Sequence, residues 1–278
     1  MATNQMRREA AKRKLERQQE RREMQTKRRQ RVAVITSAAV VVVVVVGIVL
    51  LTTLGGGSET TDVAAPPDDD PVAAVDIPTE LAPVPARSTP LPNPTSCDYV
   101  AGGEAAKPAE LPPATDVSSE GTQAVTLNTS AGVVPLALDR ALAPCTVNSF
   151  VSLVQQGYYD GTPCHRLTTS PGLQVLQCGD PTGSGTGGPG YTIPDEVFAE
   201  LAYGRGILAM AKTPEPDSGG SQFFMVYGTA DLPPEYTAFG TISPEGLSVV
   251  DEVARAGSTP QGDGAPNQPV TIETATVG

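Results

Sequence analysis

Four short stretches of this sequence carry side chains whose types could do chemistry together. They are Cys164-His165-Arg166-Leu167, Gln177-Cys178-Gly179-Asp180, Gly220-Ser221-Gln222-Phe223-Phe224, and the run from Leu232-Pro233-Pro234-Glu235-Tyr236 into Thr237-Ala238-Phe239-Gly240. Arg166 is a permanently charged, planar donor that trades no proton at physiological pH, so any chemistry it does is electrostatic. An arginine in a strand is ordinarily a surface charge, but cations are few in this half of the chain. His165 is the only histidine and the usual acid–base candidate. Strand alternation turns it away from the face of Arg166, so it is read as a hydrogen-bonded structural side chain. The same alternation puts Phe223 and Phe224 on opposite faces, one for a core and one for a surface. Asp180 reads as a turn residue. The four cysteines, at 97, 145, 164 and 178, form no CxxC pair, which argues against zinc. They read as two disulfides of an oxidising compartment, with three connectivities open.

The elements that must position these residues are mostly short strands. Residues 124–129 alternate, and after Ser-Ala-Gly residues 133–138 follow, the pattern of a hairpin. Residues 144–156 place Val147, Phe150, Val151 and Val154 on one helical face, with Gly157 as the stop. Strands are predicted over 164–167, 174–178, 206–211, 221–226 and 238–242. Ser243-Pro244 is an N-cap followed by proline at the first helical position, and Leu247, Val250 and Ala254 line one face before Gly257. A last strand is predicted over 270–277. Many short strands with two helices fit a barrel capped at its ends.

In this order and near this spacing, the motifs resemble the signature of the cyclophilins, the peptidyl-prolyl isomerases. The resemblance covers residues 123–278. It implies a mainly β fold, a closed eight-stranded antiparallel barrel capped by two helices. It also implies a groove on the outside of the barrel that takes X-Pro-containing polypeptides. Carried over residue by residue, the catalytic arginine is Arg166 and the glutamine that positions it is Gln177. The backbone strip that pairs with substrate is Ala211 and Lys212. Gln222 and Phe224 are the polar wall and floor of the proline pocket, Leu232 is its side, and Tyr236 stands where a histidine is often found at the rim. The resemblance implies neither metal nor cofactor. There are departures. Three additional residues lie between Arg166 and Gln177, Gln174 stands beside Leu173 where an aromatic is usual, Asp231 replaces an aromatic before Leu232, and Lys212 replaces an asparagine. These altered walls leave a second reading open, a weakly active or inactive proline-peptide binding module tethered to a membrane. With Arg166 and Gln177 on one groove face, alternation puts Cys164 on that face and Cys178 on the other. That disfavours a Cys164–Cys178 bond and leaves Cys97 and Cys145 as their expected partners.

The rest of the chain sets where such a domain would work. The first 31 residues hold 12 of the 19 Lys and Arg against four Glu, and the remainder holds seven against 27 Asp and Glu. An acidic remainder argues against nucleic acid as a partner, which would need clustered cations. Residues 32–54 are 23 residues without a charge, including seven consecutive valines at 40–46. At about 1.5 Å per residue such a helix crosses a hydrocarbon core of about 30 Å. The cationic arm 1–31 before it and the absence of cations for 30 residues after it predict a single-pass cell-membrane anchor. Its N-terminus is then cytoplasmic and its domain extracytoplasmic. Residues 55–122 are read as a Pro/Gly/Ala-rich linker and strap, the part up to about Pro94 as a disordered spacer with too little apolar surface to fold.

Overall fold

The computed structural model describes residues 75–278; the cationic arm, the apolar run and the first part of the linker lie outside the described residues. Among those described, no helix is long and apolar enough to cross a membrane. The strands are β1 (Val100–Ala101), β2 (Thr122–Thr129), β3 (Gly132–Asp139), β4 (Thr162–Cys164), β5 (Arg166–Ser170), β6 (Leu173–Cys178), β7 (Tyr191–Thr192), β8 (Ile207–Met210), β9 (Phe223–Ala230), β10 (Ala238–Ile242), β11 (Ser258–Thr259), β12 (Asp263–Pro266) and β13 (Val270–Val277). Helix α1 spans Pro144–Gln155 and α2 spans Pro244–Arg255.

One antiparallel sheet holds all but two of these strands, in the order β11-β12-β5-β6-β9-β8-β10-β3-β2-β13-β4. It is strongly curled, because β4, at one end, and β5, near the other, are separated in the chain by His165 alone. The period-2 pattern sends one set of side chains inside the curl. Leu127, Leu138, Leu176, Leu208, Phe223, Met225, Tyr227 and Ile272 are all buried there. Helix α1 adds Phe150, whose ring lies 5.2 Å from Phe223 and 5.3 Å from Phe239. Helix α2 adds Leu247 and Val250, and the Ser243 hydroxyl accepts from the Gly246 N–H, 3.1 Å away, as its cap. Where the β2–β3 turn needs φ of +141° at residue 132, glycine is present, and a Cβ there would strike Val249 of α2.

Three expectations are corrected. The disulfides are Cys97–Cys145 and Cys164–Cys178. Alternation would have separated Cys164 from Cys178 only had the strand run on unbroken. Instead β4 ends at Cys164, paired to Val270 of β13, and β5 begins at Arg166, paired to Gln177 of β6. The break at His165 resets the faces, so Cys164 points inward like Cys178, both in the core. His165 itself has no hydrogen-bond partner on either buried ring nitrogen among the described residues. Burial is the main cause lowering its pKa, against the Asp180 carboxylate, which raises it. Finally, the spacer expected up to about Pro94 is, from residue 75 on, chain laid against the sheet. The Gln174 amide donates to the Asp76 carbonyl (2.7 Å), and the Ala82 N–H donates to the Arg205 carbonyl (2.9 Å). Arg87 donates to the carbonyls of Leu142 and Glu196 and stacks 4.5 Å over the Phe198 ring. Further along, Cys97 ties the strap to Cys145 at the start of α1, and β1 pairs with β7.

Candidate active site

Strand register explains how distant motifs meet. Arg166 of β5 is directly opposite Gln177 of β6, Gln177 is opposite Phe224 of β9, and Phe224 is opposite Ala209 of β8. These residues form one row across four strands, on the outer face of the curl. That face carries its own apolar cluster, in which Val175, Phe224, Val226, Ala209 and Tyr203 are buried and Leu173, Ala211, Leu232 and Tyr236 pack against them. Burying Phe224 outside the main core is the alternation expected of Phe223-Phe224, with Phe223 inside.

On this cluster lies a cleft of about 260 Å³ lined by Arg166, Leu173, Val175, Gln177, Ala211, Lys212, Phe224, Leu232 and Tyr236. Every expected site residue except Gln222 is on it. Gln222 lines an adjoining recess of about 400 Å³ that shares Gln177, Ala211 and Lys212 with the cleft and is rimmed by Gly102, Gly103 and Glu104 of the strap. Val175 is not suggested by the sequence, and Leu173 enters there only as the neighbour of Gln174 at an altered wall. Alternation along β6 puts both on the face of Gln177, and the pairing of β6 with β9 shifts register between them, beside the buried Gln174. The Gln174 Oε1 accepts from the Thr229 N–H (2.9 Å), so this side chain ties strands together and is no pocket wall. A larger hollow of about 800 Å³ lies around Pro78, Ser170 and Gln261, with Asp76 and Arg255 as its charged groups. It lacks the pairing of an apolar floor with a fixed donor.

The polar side of the cleft is a directed chain of hydrogen bonds. The Gln222 amide N–H₂ donates to the carbonyls of Gly185 and Gly187, each 3.0 Å away. Two acceptors there fix which way the amide faces, so its Oε1 must accept, and it does so from Gln177 Nε2 (2.9 Å). That leaves Gln177 Oε1 to accept from Arg166 Nη1 (3.2 Å). The far edge of the guanidinium is held by a residue that the sequence did not suggest. Arg166 Nε and Nη2 donate to the two carboxylate oxygens of Asp263, each at 2.7 Å. The hydrogen bond to Asp263 is the largest cause raising the pKa of Arg166, and that to Arg166 the largest lowering that of Asp263. The one cue was a lone carboxylate between two glycines, Gly262-Asp263-Gly264.

The side chains at the rim of the cleft are held in place. The Lys212 ammonium is paired with Asp195 at 2.6 Å. The Tyr236 ring stands edge-on to Phe224 at 5.8 Å. Its backbone is held by Tyr203, whose hydroxyl donates to the Tyr236 carbonyl (2.6 Å) and accepts from the Tyr236 N–H (3.0 Å). The loop under Gln222 is organised by Asp180, fully buried. Its carboxylate accepts from the N–H groups of Thr182, Gly185 and Gly187 and from the hydroxyls of Thr182 and Ser184. A Cβ at Gly187 would collide with that carboxylate, so glycine is required for the approach. Burial alone would raise the Asp180 pKa, but this ring of donors pulls it down to about 2.

Comparison with known proteins identifies the family. A family model described as "Cyclophilin type peptidyl-prolyl cis-trans isomerase/CLD" matches residues 124–277. The chain is 47% identical over 192 residues to a protein of Mycobacterium tuberculosis named "Probable peptidyl-prolyl cis-trans isomerase B", covering 64% of this chain and 62% of that protein. The chain therefore spans a little under two thirds of the length of that relative. It is 35% identical over 173 residues to the "Peptidyl-prolyl cis-trans isomerase A" of the same organism, covering 56% of this chain and 92% of that one. The crystal structure of a cyclophilin type peptidyl-prolyl cis-trans isomerase from Cryptosporidium parvum superposes with a TM-score of 0.51. Its sequence identity is 31%, and the match covers 57% of this chain and 98% of that chain.

Proposed function

This chain belongs to the cyclophilin-type peptidyl-prolyl cis-trans isomerase family, and we propose that it isomerises X-Pro bonds at the cleft of Arg166 and Phe224. In this reading the curled sheet is the closed eight-stranded barrel of the family, with β4 and β5 counted as one strand bent at His165 and the short β11 and β12 as an addition at its edge. The barrier to be lowered is about 18–20 kcal/mol, set by amide resonance. No bond is made or broken, so no cofactor is needed. Twisting the X-Pro amide localises a lone pair on nitrogen, which can then accept a hydrogen bond. A donor placed for that nitrogen stabilises the twisted state over both planar ones.

One observation supports this most strongly. Arg166 is pinned on the wall of an apolar cleft while part of its donor set stays uncommitted. A guanidinium has five N–H groups; Asp263 takes two and Gln177 takes one. One N–H on Nη1 and one on Nη2 remain for a substrate. Phe224, Leu232, Val175 and Tyr236 would take the proline ring, and the backbone at Ala211 and Lys212 would pair with the peptide. The uncharged run 32–54 and its cationic flank support a membrane anchor ahead of this domain. We propose that the clients are secreted or envelope polypeptides and that the domain faces them outside the cytoplasm.

The test is the rate of cis–trans exchange of a proline tetrapeptide with wild type and Arg166→Ala. Loss of one transition-state donor should lower the rate constant by roughly 10²–10³-fold, with peptide affinity much less affected. Arg166→Lys should restore little, since a single ammonium cannot be held at two edges as the planar fork is. Full activity in Arg166→Ala would refute the assignment. A wild type that binds the peptide but does not speed its exchange would establish the tethered binding module instead.

A further inference from the structure

We propose that Asp263 is a positioning residue for the isomerisation, setting the plane of the Arg166 guanidinium and leaving its outward edge as the only one open to substrate. This inference rests on Arg166 being the transition-state donor. An exposed Arg–Asp pair is ordinarily worth little, since solvent screens it and ordering two side chains offsets the gain. Side chains that are 38% and 55% exposed contribute little stability by being paired. What distinguishes this pair is geometry. Both carboxylate oxygens face Nε and Nη2 at 2.7 Å, the bidentate fork that only a guanidinium can fill. With Gln177 on Nη1, the group is held at two edges, and rotation about the long side chain is suppressed.

The carboxylate itself is held by rigid backbone. Strand β12 pairs with the very strand that bears Arg166, Asp263 opposite Thr168 and Gly264 opposite Leu167. On its other side it pairs with β11, Thr259 opposite Ala265 and Ser258 opposite Pro266. The Thr169 N–H donates to the Gly262 carbonyl at 2.9 Å. A Cβ at Gly264 would run into the backbone of Thr259 and Pro260, so the glycine lets this short strand close down on β11 and the turn after it, while its other edge pairs with β5. Asp263 therefore moves with β5, and the Arg166 head group is tied to the same strand as its own backbone. Such preorganisation removes the freedom that the donor would otherwise lose on reaching the twisted amide.

The experiment is a double-mutant cycle on the full chain in detergent micelles, read by magnetisation exchange between cis and trans signals of a tetrapeptide with one Ala-Pro bond. Peptide titration separates the exchange rate of bound peptide from its affinity. Asp263→Ala should lower the bound-state rate about 10–30-fold, as expected for a misplaced catalytic group, with affinity changed less than about threefold. In an Arg166→Ala background the same substitution should change nothing further, because a positioning residue acts only through the group it positions. Asp263→Asn, which keeps shape and one acceptor, should fall between and serves where the alanine variant fails to fold. If Asp263→Ala costs as much with Arg166 absent as present, the role is structural and the proposal fails. If both Asp263 variants keep or exceed the wild-type rate while Arg166→Ala loses it, the proposal fails and the function of Arg166 stands. If Arg166→Ala keeps it too, the reading of Arg166 fails first.

Discussion

Replacing Asp180 by asparagine tests whether the loop beneath the site is built on a charge. The carboxylate is fully buried and accepts from three backbone N–H groups and two hydroxyls. In the folded chain its pKa is about 2, against 3.8 for the free group. A depressed carboxylate pKa stabilises the fold above the unfolded value, and that contribution disappears as pH falls toward the folded one. At about 1.36 kcal/mol per pKa unit this amounts to roughly 2 kcal/mol at neutral pH, of which about half is gone by pH 3. Asparagine keeps one acceptor oxygen and sets an N–H₂ against donors where the second stood, so Asp180→Asn forfeits at least the charge-dependent part. For a domain of this size that corresponds to a fall of roughly 5–8 °C in Tm at pH 7. Urea unfolding of wild type and variant from pH 7 to pH 3 measures the difference directly. The two stabilities should lie about 2–3 kcal/mol apart at pH 7 and approach one another below pH 4. A gap that stays constant with pH, or none at pH 7, would refute the charge as the organising element of the loop. Because Gly185 and Gly187 orient Gln222, and through it Gln177, the variant should also slow the X-Pro exchange proposed for the cleft.

Two further outcomes are expected. The Cys97–Cys145 bridge closes a sequence separation of 48, for which chain entropy predicts about 4 kcal/mol. Changing both cysteines to serine should lower Tm by roughly 10 °C while leaving Arg166-dependent exchange intact at temperatures where the variant is folded; an unchanged Tm in a scanning calorimeter would show the strap to be held by its hydrogen bonds alone. On intact cells, external protease should remove the domain beyond about residue 55 and spare the cationic arm 1–31. Digestion of the arm with the domain protected would reverse the orientation read from the charges.

What the sequence made legible was whatever depends on neighbours along the chain. The alternation of residues 124–129 and 133–138 follows from a two-residue period, and β2 and β3 realise it with Val125, Leu127, Val134, Leu136 and Leu138 buried. The one-sided pattern of 144–156 and the Ser243-Pro244 start gave two helices that lie where they were expected. The cleft residues were named through the resemblance to the cyclophilins, and the structure adds that Arg166, Gln177 and Phe224 fall with Ala209 on one row of the sheet, which is how motifs far apart in the chain meet. The misses lie where a local rule is interrupted by a contact from far away. Alternation was carried through His165, although the chain there leaves the edge of β13 for the edge of β6, and this single break reverses the side on which Cys164 lies. The strap reads as a spacer because it is rich in proline and poor in apolar residues. It is nevertheless held by polar groups, Arg87 on the Leu142 and Glu196 carbonyls and Asp76 on Gln174, which no hydrophobic pattern reports. Strand β12 is the most instructive case. Asp263-Gly264-Ala265-Pro266 has no β-branched or aromatic residue, and its strand character comes wholly from pairing with β5 and β11. Low intrinsic β preference and close backbone approach go together here, since the glycine that weakens the local signal is the residue that lets the strand pack. A carboxylate that works by holding another side chain needs such a platform, and so it sits where sequence patterns are weakest.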